Sequence, residues 1–300
     1  MPTRYDADRP RQLNETERSY RYYRNAVERH WDPHEVDLAA DREAITELDD
    51  MALEQLKVSL AKFGAGEQSV TEDLSPLAVV LDGIEDQLFI TTQLYEEAKH
   101  TDFFDRYWRT VIHPEDEARG RDRSSPVDPR WFDVDYNELF DRNEAAMSRL
   151  LTDDSPDNRA RAYCHYHLVI EGILAQTGYY GLTKVWSPEI SQLPDLPGLV
   201  EGITLIRQDE GRHVGFGMAK LRKLVLEQGV DPALLSETVT ELVALVRGTL
   251  APPEDQPTEP VLEENELTEY AVRKHTERMQ QITDASAEIP EVDQLTALEG

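Results

Sequence analysis

The chain has 300 residues, 39% of them hydrophobic, and a formal net charge of −29. A chain of this length buries a substantial core without disulfides, and the single cysteine, Cys164, excludes a disulfide framework within the chain. Nucleic acid and anionic membranes would repel so acidic a protein, so both are excluded as partners. Residues 1–11 are charged rather than apolar, and no apolar run is long enough to span a membrane. We therefore expect a cytoplasmic protein. Its evenly spread acidity is typical of surfaces that stay hydrated at high salt, and the alternative is simply an acidic, soluble protein.

Helical periodicity dominates the sequence, and the alternating patterns of strands are absent. In chain order the predicted helices are residues 41–65, 66–81, 84–111, 133–151, 157–186, 199–229 and 235–250. The predicted breaks lie at Gly64 and Gly66, at 113–129 and at 188–197.

The composition changes after residue 250. Residues 251–260 are rich in Pro, Asp and Glu and predict a linker, and 261–282 predict one more polar helix. The last dozen residues are acidic and are expected to be mobile. The predicted organisation is an all-α domain over residues 1–250, followed by an acidic linker, helix and tail over 251–300.

Two tetrapeptides carry the strongest chemical signal. Glu97-Ala98-Lys99-His100 and Glu210-Gly211-Arg212-His213 each place a glutamate three residues before a histidine. Residues three apart project from one face of a helix, so each pair can hold the same cation. Apolar residues that should face inward follow each copy: Phe103 and Phe104 after the first, Val214 and Phe216 after the second.

A four-helix dimetal site also takes one glutamate from each of its two other helices. Glu171 lies within the apolar stretch 168–174, where a charge needs a partner or a metal. Glu67 precedes the apolar stretch 74–81, and Glu72 is its rival five residues further on. The predicted metal ligands are Glu67, Glu97, His100, Glu171, Glu210 and His213.

Four carboxylates carry four negative charges, which two divalent ions would neutralise. Oxygen and imidazole ligands without thiolate suit iron or manganese, whereas zinc usually takes fewer ligands. The alternative interpretation is a bundle with buried salt bridges, such as Glu97 with Arg212. Before any family is considered, Asp209 is equally well a solvated helix charge.

At these residues the chain resembles the ribonucleotide reductase small-subunit superfamily, over roughly residues 25–225. That resemblance implies a ferritin-like four-helix core with peripheral helices, and a homodimer. The segment Trp31-Asp32-Pro33-His34-Glu35-Val36-Asp37 is similar to the family's N-terminal Trp-x-Pro segment. Asp209 matches the family's aspartate that orients a ligand histidine, here His100, and connects to Trp31.

Within the superfamily, three segments resemble the ligand-binding oxidase branch. They are residues 66–70, 96–101 and 166–179, which contain Glu67, Glu97 with His100, and Glu171. The branch implies one manganese and one iron ion, with two iron ions as the alternative, and two-electron oxidation by oxygen. It also implies a valine–tyrosine ether cross-link, here between Val70 and Tyr166, and a long-chain fatty acid bound at the metals. By resemblance, Tyr179 lies near the site.

The spacing supports Val70 better than Tyr166. Val70 is three residues after Glu67 and therefore shares its helix face, with an abstractable tertiary hydrogen on Cβ. Tyr166 is five residues before Glu171, which places it about 140° away on an ideal helix. A π-bulge would be needed to turn Tyr166 toward the metals. The alternative for both residues is ordinary core packing.

Phe104 departs from the reductases. Radical-storing members of the superfamily have a tyrosine four residues after the first ligand histidine, where this chain has Phe104. Three functions remain: an oxidase that acts on its own Val70–Tyr166 pair and on an apolar ligand, a reductase small subunit without that tyrosine, and a non-catalytic carrier of fatty acid or metal. His165 and His167 flank Tyr166. His167 is interpreted as a hydrogen-bonded core histidine, with a place at the site, one helical turn before Glu171, as the alternative. Cys164 is interpreted as a small buried residue and His113 as a loop residue.

Overall fold

The computed structural model describes residues 13–81, 83–188, 193–250 and 264–297. Throughout these ranges the regular structure is helical and contains no strand, so the all-α prediction is confirmed. The α-helices are α1 (Arg18–Glu28), α2 (Ala39–Ala44), α3 (Asp50–Asp73), α4 (Ser75–Val80), α5 (Ile84–Tyr107), α6 (His113–Ala118), α7 (Val134–Arg149), α8 (Pro156–Tyr163), α9 (Gln176–Val185), α10 (Pro197–Gln228), α11 (Pro232–Leu250), α12 (Glu264–Thr283) and α13 (Val292–Leu295). Two π-helical segments, Trp108–Ile112 and Cys164–Ala175, and three short 3₁₀ turns, Pro33–Glu35, Ile45–Glu47 and Pro129–Trp131, lie between them. In these ranges no helix is long and apolar enough to cross a membrane.

Four rods form the core of the protein. They are α3, α5, α10 and the continuous rod made by α8, the π-helical segment Cys164–Ala175 and α9. Helix α3 packs against α5, and α10 packs against the π-helical segment and α9. Helices α7 and α11 pack together outside the bundle, and α11 also covers the π-helical segment.

The apolar core is divided into two clusters along these rods. On α5, Phe89 and Ile90 belong to one cluster, whereas Phe103 and Phe104 belong to the other. The same division occurs on α10, where Ile206 precedes the second Glu-x-x-His motif and Phe216 follows it. The motifs therefore lie in a polar layer between two apolar clusters.

A buried aspartate from α2 fixes the N-terminus of α10. Asp41 accepts hydrogen bonds from the backbone N–H groups of Gly198 (2.7 Å) and Leu199 (2.8 Å), and from the hydroxyl of Tyr107 (2.9 Å). A carboxylate at this end satisfies free N–H groups and interacts favourably with the helix dipole. It thereby anchors the rod that carries Glu210 and His213.

The predicted break at Gly64 and Gly66 is wrong, because α3 runs through both residues. A Cβ at Gly64 would lie 3.0 Å from Phe104 Cβ, and one at Gly66 would lie 3.2 Å from Phe140 Cζ. These glycines therefore allow close helix packing instead of ending the helix. The expected helix start at residue 41 is also wrong, since Asp49 caps α3 by accepting from the Ala52 N–H at 2.8 Å. His113, expected in a loop, begins α6.

The chain beyond residue 263 packs on two of the rods that form the core. Helix α12 contacts α10 and the π-helical segment, and α13 contacts α10 and α1. The tail was expected to be mobile. Up to residue 297 it is instead held by apolar burial of Ile289 and by ion pairs of Glu291 with Arg18 and Arg21. The expected linker, 251–260, lies outside the described residues, and the division of the chain at residue 250 stays a prediction.

Gly211 makes this packing testable. A Cβ at Gly211 would overlap the backbone carbonyl of Leu295, which cannot move without shifting α13. We expect Gly211→Ala to destabilise the protein by about 1–3 kcal/mol through overpacking and to expose α12 to trypsin. Thermal unfolding and limited proteolysis measure both effects. Glu201→Ala, at an exposed position of the same helix, is the control. An α12 in Gly211→Ala as protease-resistant as in the parent chain would contradict the expectation.

Candidate metal centre

The structure brings the six predicted ligand residues together. Their donor atoms form two groups of four, in each of which all atoms lie within 4.8 Å of one another. The first group is Glu67, Glu97, His100 and Glu210, and the second is Glu97, Glu171, Glu210 and His213. Glu97 and Glu210 occur in both groups, so these two carboxylates are placed to contact two neighbouring ions. The rival glutamate, Glu72, is exposed on the other side of α3.

Both histidines direct Nδ1 toward the other predicted ligands and Nε2 toward a carboxylate outside the two ligand groups. His100 Nδ1 lies 3.2 Å from Glu67 Oε2, and its Nε2 lies 3.1 Å from Asp209 Oδ2. His213 Nδ1 lies 3.0 Å from Glu97 Oε1, and its Nε2 lies 2.9 Å from Glu96 Oε2. A carboxylate on the outer nitrogen fixes the tautomer, so that Nδ1 is free to ligate a metal.

Asp209 is buried and connects three partners to the site. Its Oδ2 accepts from Trp31 Nε1 at 2.8 Å and lies 2.8 Å from Lys99 Nζ, in addition to its contact with His100. Trp31 also stacks on the His100 ring with an interplanar angle of 17°. The solvated alternative for Asp209 is therefore wrong. The ion pairs with Lys99 and Arg212 and the bond to His100 outweigh burial and hold the pKa of Asp209 well below its ordinary value.

Glu96 is a partner that the sequence reasoning missed. It pairs with Arg212, which also pairs with Asp209, and it holds His213. The salt bridge suggested for Arg212 with Glu97 is therefore not the one that forms. Around the ligands, the acids Glu96 and Asp209 are balanced by the bases Lys99 and Arg212, so this outer network leaves the four inner carboxylates uncompensated.

Tyr166 reaches the cluster because its helix is π-helical. The segment Cys164–Ala175 carries both Tyr166 and Glu171, and its wider turn brings the phenol to the metal side of the rod. The Tyr166 hydroxyl donates to Glu97 Oε1 at 2.7 Å. Gln93, which the sequence reasoning also missed, donates to Glu171 Oε1 at 2.8 Å.

A second phenol contacts the other end of the cluster. The Tyr179 hydroxyl donates to Glu67, and its ring stacks with Phe104 at an angle of 19°. Val70 is buried on α3 one turn after Glu67 and belongs to the same apolar cluster as Tyr166. All four predicted neighbours of the ligands, Trp31, Phe104, Tyr179 and Asp209, are thus close to the ligand layer.

Burial and crowding give the ligands unusual acidities. Burial, together with the charges of Glu97 and Glu210, raises the pKa of Glu67 to about 8. Burial opposes the charged forms of His100 and His213, but the surrounding carboxylates outweigh it and hold both pKa values well above the ordinary one. Burial and the neighbouring carboxylates raise the pKa of Glu171 well above its ordinary value. Without metal the cluster therefore retains protons at neutral pH.

The donor set fits a pair of divalent cations. Buried polar atoms are almost always hydrogen-bonded, yet Glu97 Oε2, Glu171 Oε2, Glu210 Oε2 and His213 Nδ1 are buried here without a hydrogen-bond partner. These four atoms all belong to predicted ligands. Oxygen and imidazole donors around a shared centre are the ligands that iron and manganese take in proteins.

The family model for the small chain of ribonucleotide reductase matches residues 14–249. The chain belongs to this family. Oxidoreductase is therefore its class, and both Glu-x-x-His motifs, on α5 and α10, lie within the matched residues. Helices α12 and α13 lie beyond the matched residues.

Solved structures of R2-like ligand-binding oxidases are similar to the chain. One with an aerobically reconstituted Mn/Fe cofactor is 28% identical, with a TM-score of 0.76, over 90% of this chain and 94% of that one. A point variant with an anaerobically reconstituted Mn/Fe cofactor is 26% identical, with a TM-score of 0.77, over 90% and 95%. Another variant, which holds a non-activated Mn/Mn cofactor, is 27% identical, with a TM-score of 0.76. The ferritin-like architecture predicted from the sequence is confirmed.

Arg278 joins the C-terminal region to the family's metal site. Its guanidinium donates to the carbonyl of Gly172, the residue after Glu171. A π-helical turn disrupts the regular backbone bonding of a helix, and this arginine supplies a donor at that point. No sequence motif pointed to Arg278, because its contact with Gly172 joins residues that are 106 positions apart in sequence.

The remaining histidines and the cysteine stay outside the ligand groups. His167 is buried with Nε2 3.4 Å from Gln93 Oε1, and burial holds its pKa well below the ordinary value. Burial lowers the pKa of His165 to about 4. Cys164 is fully buried, and burial raises the pKa of its thiol. These placements agree with ordinary core packing.

Glu96 offers a test of the outer network. In Glu96→Gln the partner of Arg212 and His213 loses its charge while its shape is kept. We expect metal affinity to fall about 10–100-fold, as for other residues that orient a ligand histidine. Competition with a chromogenic chelator measures this, and Glu138→Gln, which breaks an exposed pair with Arg142, is the control. Equal affinities in the two variants would contradict an orienting role.

Metal binding should release protons. His100, His213 and Glu67 must lose their protons to ligate, and their raised pKa values mean that they hold them at neutral pH. Manganese affinity should therefore increase as pH rises from roughly 6 to 8. Titration calorimetry in buffers of different ionisation enthalpy counts the protons released. Affinity that is independent of pH, with no proton release, would show that the cluster is already deprotonated.

Proposed function

We propose that the chain is an oxygen-activating oxidase that holds one manganese and one iron ion, or two iron ions, between Glu67, Glu97, His100, Glu171, Glu210 and His213. When bound, such a pair supplies two-electron oxidation by molecular oxygen. The observation that carries the proposal is the π-helical placement of the Tyr166 phenol on the shared ligand Glu97. The similarity to R2-like ligand-binding oxidases over most of the chain supports it.

We further propose that the oxidation joins Val70 to Tyr166 by an ether. The Val70 Cβ–H and the Tyr166 O–H bonds break, a C–O bond forms, and the two electrons and two protons that are lost pass to oxygen. Glu97 Oε1, 2.7 Å from the phenol oxygen, is the nearest base for the phenolic proton. The surrounding apolar clusters exclude water, which keeps the oxidising equivalent available for the Val70 Cβ–H and Tyr166 O–H bonds.

Residues outside the ligand set hold the ligand side chains in position. Glu96 and Asp209 hold the outer nitrogens of His213 and His100, and Gln93 orients Glu171. A long-chain fatty acid or similar apolar molecule as ligand, and a homodimer as assembly, complete the proposal. The resemblance to the oxidase branch supports the apolar ligand, and the family supports the dimer.

The alternative within the family is a reductase small subunit, which the matching family model favours. Phe104 argues against the reductases that store a tyrosyl radical, but not against a small subunit without that tyrosine. The residue lies beside Tyr179 in the layer next to the ligands, and its phenyl ring has no hydroxyl to lose when an oxidising equivalent must be stored. A large catalytic partner that binds the chain would favour this alternative.

The cross-link provides the direct test. Metal-free protein is loaded with manganese and iron in air, digested, and analysed by mass spectrometry. We expect the Val70 and Tyr166 peptides to be joined with the loss of two hydrogens. The joined peptide should be absent in Tyr166→Phe and after anaerobic loading, and present in Tyr163→Phe, which changes a buried tyrosine one turn away. Unjoined peptides in protein that holds both metals would contradict the proposal and favour the reductase alternative.

A further inference from the structure

A cavity of about 290 Å³ lies between α10, α12 and the C-terminal segment, outside the ligand layer. On α10 it is lined by Arg207, Gly211, Val214 and Met218, which follow one helix face. Gly211 and Val214 each follow a ligand residue by one position, about 100° around the helix, and none of the six ligand residues lines the cavity. The cavity is thus distinct from the proposed metal site.

The charges that line the cavity are mostly positive. Arg207, Lys274 and Arg278 face one acid, Glu277, which itself pairs with Arg273 at 3.9 Å. The chain has 60 acidic and 31 basic residues, so a basic cavity departs from the character of the whole protein. An excess of positive charge in a partly closed cavity attracts anions.

Arg207 is a buried arginine whose positive charge has no acidic partner among the described residues. Its side chain is only 6% exposed, and its Nε has no hydrogen-bond partner. Among the described residues no carboxylate lies within ion-pair distance of it; its guanidinium contacts the Tyr180 ring at 5.7 Å. Arg212 is fully buried and its Nε also lacks a hydrogen-bond partner, but it pairs with both Glu96 and Asp209. A buried guanidinium without a counter-ion is costly, and a bound anion would remove that cost.

Arg278 presents a second guanidinium to the same space. One of its N–H groups donates to the Gly172 carbonyl, and in the described part of the chain it forms no ion pair. A guanidinium has five N–H donors, so further donors remain for a ligand. Two guanidiniums in one cavity match the oxygen atoms of a carboxylate or phosphate group.

The rest of the lining is partly apolar. Pro290 and Leu295, which are partly exposed, supply aliphatic surface, and the ring of Tyr270 supplies aromatic surface. A free inorganic ion would leave this surface uncovered. We propose that the cavity binds an amphiphilic oxyanion, with its charged head on Arg207 and Arg278 and its apolar body against Tyr270, Pro290 and Leu295.

Titration calorimetry of the full-length, metal-loaded protein tests this site. The probes are octanoate, octyl phosphate, inorganic phosphate and octan-1-ol. We expect octanoate or octyl phosphate to bind at least about tenfold more tightly than octanol and than inorganic phosphate, because head and tail are both recognised. The tighter of the two amphiphiles identifies the head group as carboxylate or phosphate. Octanol binding as tightly as octanoate would overturn the anionic half of the proposal, and phosphate binding as tightly as octyl phosphate would overturn the apolar half.

Variants locate the binding. Arg207→Gln should weaken binding of the preferred amphiphile at least about tenfold, whereas Arg247→Gln, at an exposed position of α11, should leave it unchanged. Arg207→Lys keeps the charge without the two-pronged geometry and should fall between the parent and Arg207→Gln, which keeps the test usable if the glutamine variant folds poorly. Equal affinity in the parent, Arg207→Gln and Arg207→Lys would place the amphiphile elsewhere, including at the metals, and would overturn the inference without bearing on the oxidase chemistry.

Discussion

Four carboxylates buried in one layer of a helical bundle are the constraint on which the structure depends. Glu67, Glu97, Glu171 and Glu210 are each no more than 5% exposed, so water cannot stabilise their charges. Unpaired, such charges would be too costly to bury and would keep protons, as the raised pKa values of Glu67 and Glu171 show. Two divalent ions would replace those protons and match the charge. Folding of the layer and metal binding are therefore coupled.

The residues outside the ligands respond to the same constraint. Glu96, Lys99, Asp209 and Arg212 form a compact set with two charges of each sign, so it orients both histidines without changing the charge of the layer. Had this set carried net positive charge, it would have competed with the metals for the inner carboxylates. Because the outer set is neutral and the inner carboxylates carry excess negative charge, cations are attracted to the ligand layer. This arrangement explains why charged residues are so frequent at the centre of a bundle that is apolar above and below.

Periodicity was sufficient for the helical fold, and motif spacing for Glu97, His100, Glu210 and His213, because helix geometry converts a spacing of three into a shared face. Glu171 was indicated by its apolar surroundings, whereas Glu67 was chosen over Glu72 only with the help of the bundle pattern. Periodicity and spacing failed where tertiary packing decides. Gly64 and Gly66 have the composition of a break but serve close packing against Phe104 and Phe140. Glu96 and Gln93 look like surface residues of a charged helix, and only the position of α10 and the π-helical rod shows that they face inward. Arg278 lies on α12, 106 residues after Gly172, so no local sequence pattern could predict the contact between them.

The π-helical segment links the chemistry to the rest of the fold. A regular helix would turn Tyr166 away from Glu171, so the phenol contacts the ligands only while the wider turn persists. That turn has weaker internal bonding than an α-helix and is supported from outside by Arg278 at Gly172 and by α11. Tyr179 lies further along the same rod, in α9, where the backbone is α-helical again. Its hydroxyl contacts Glu67 at the opposite end of the cluster. One rod thus places two phenols on two different ligands, and the change of helix type between them determines which phenol contacts Glu97, the carboxylate shared by both metal positions.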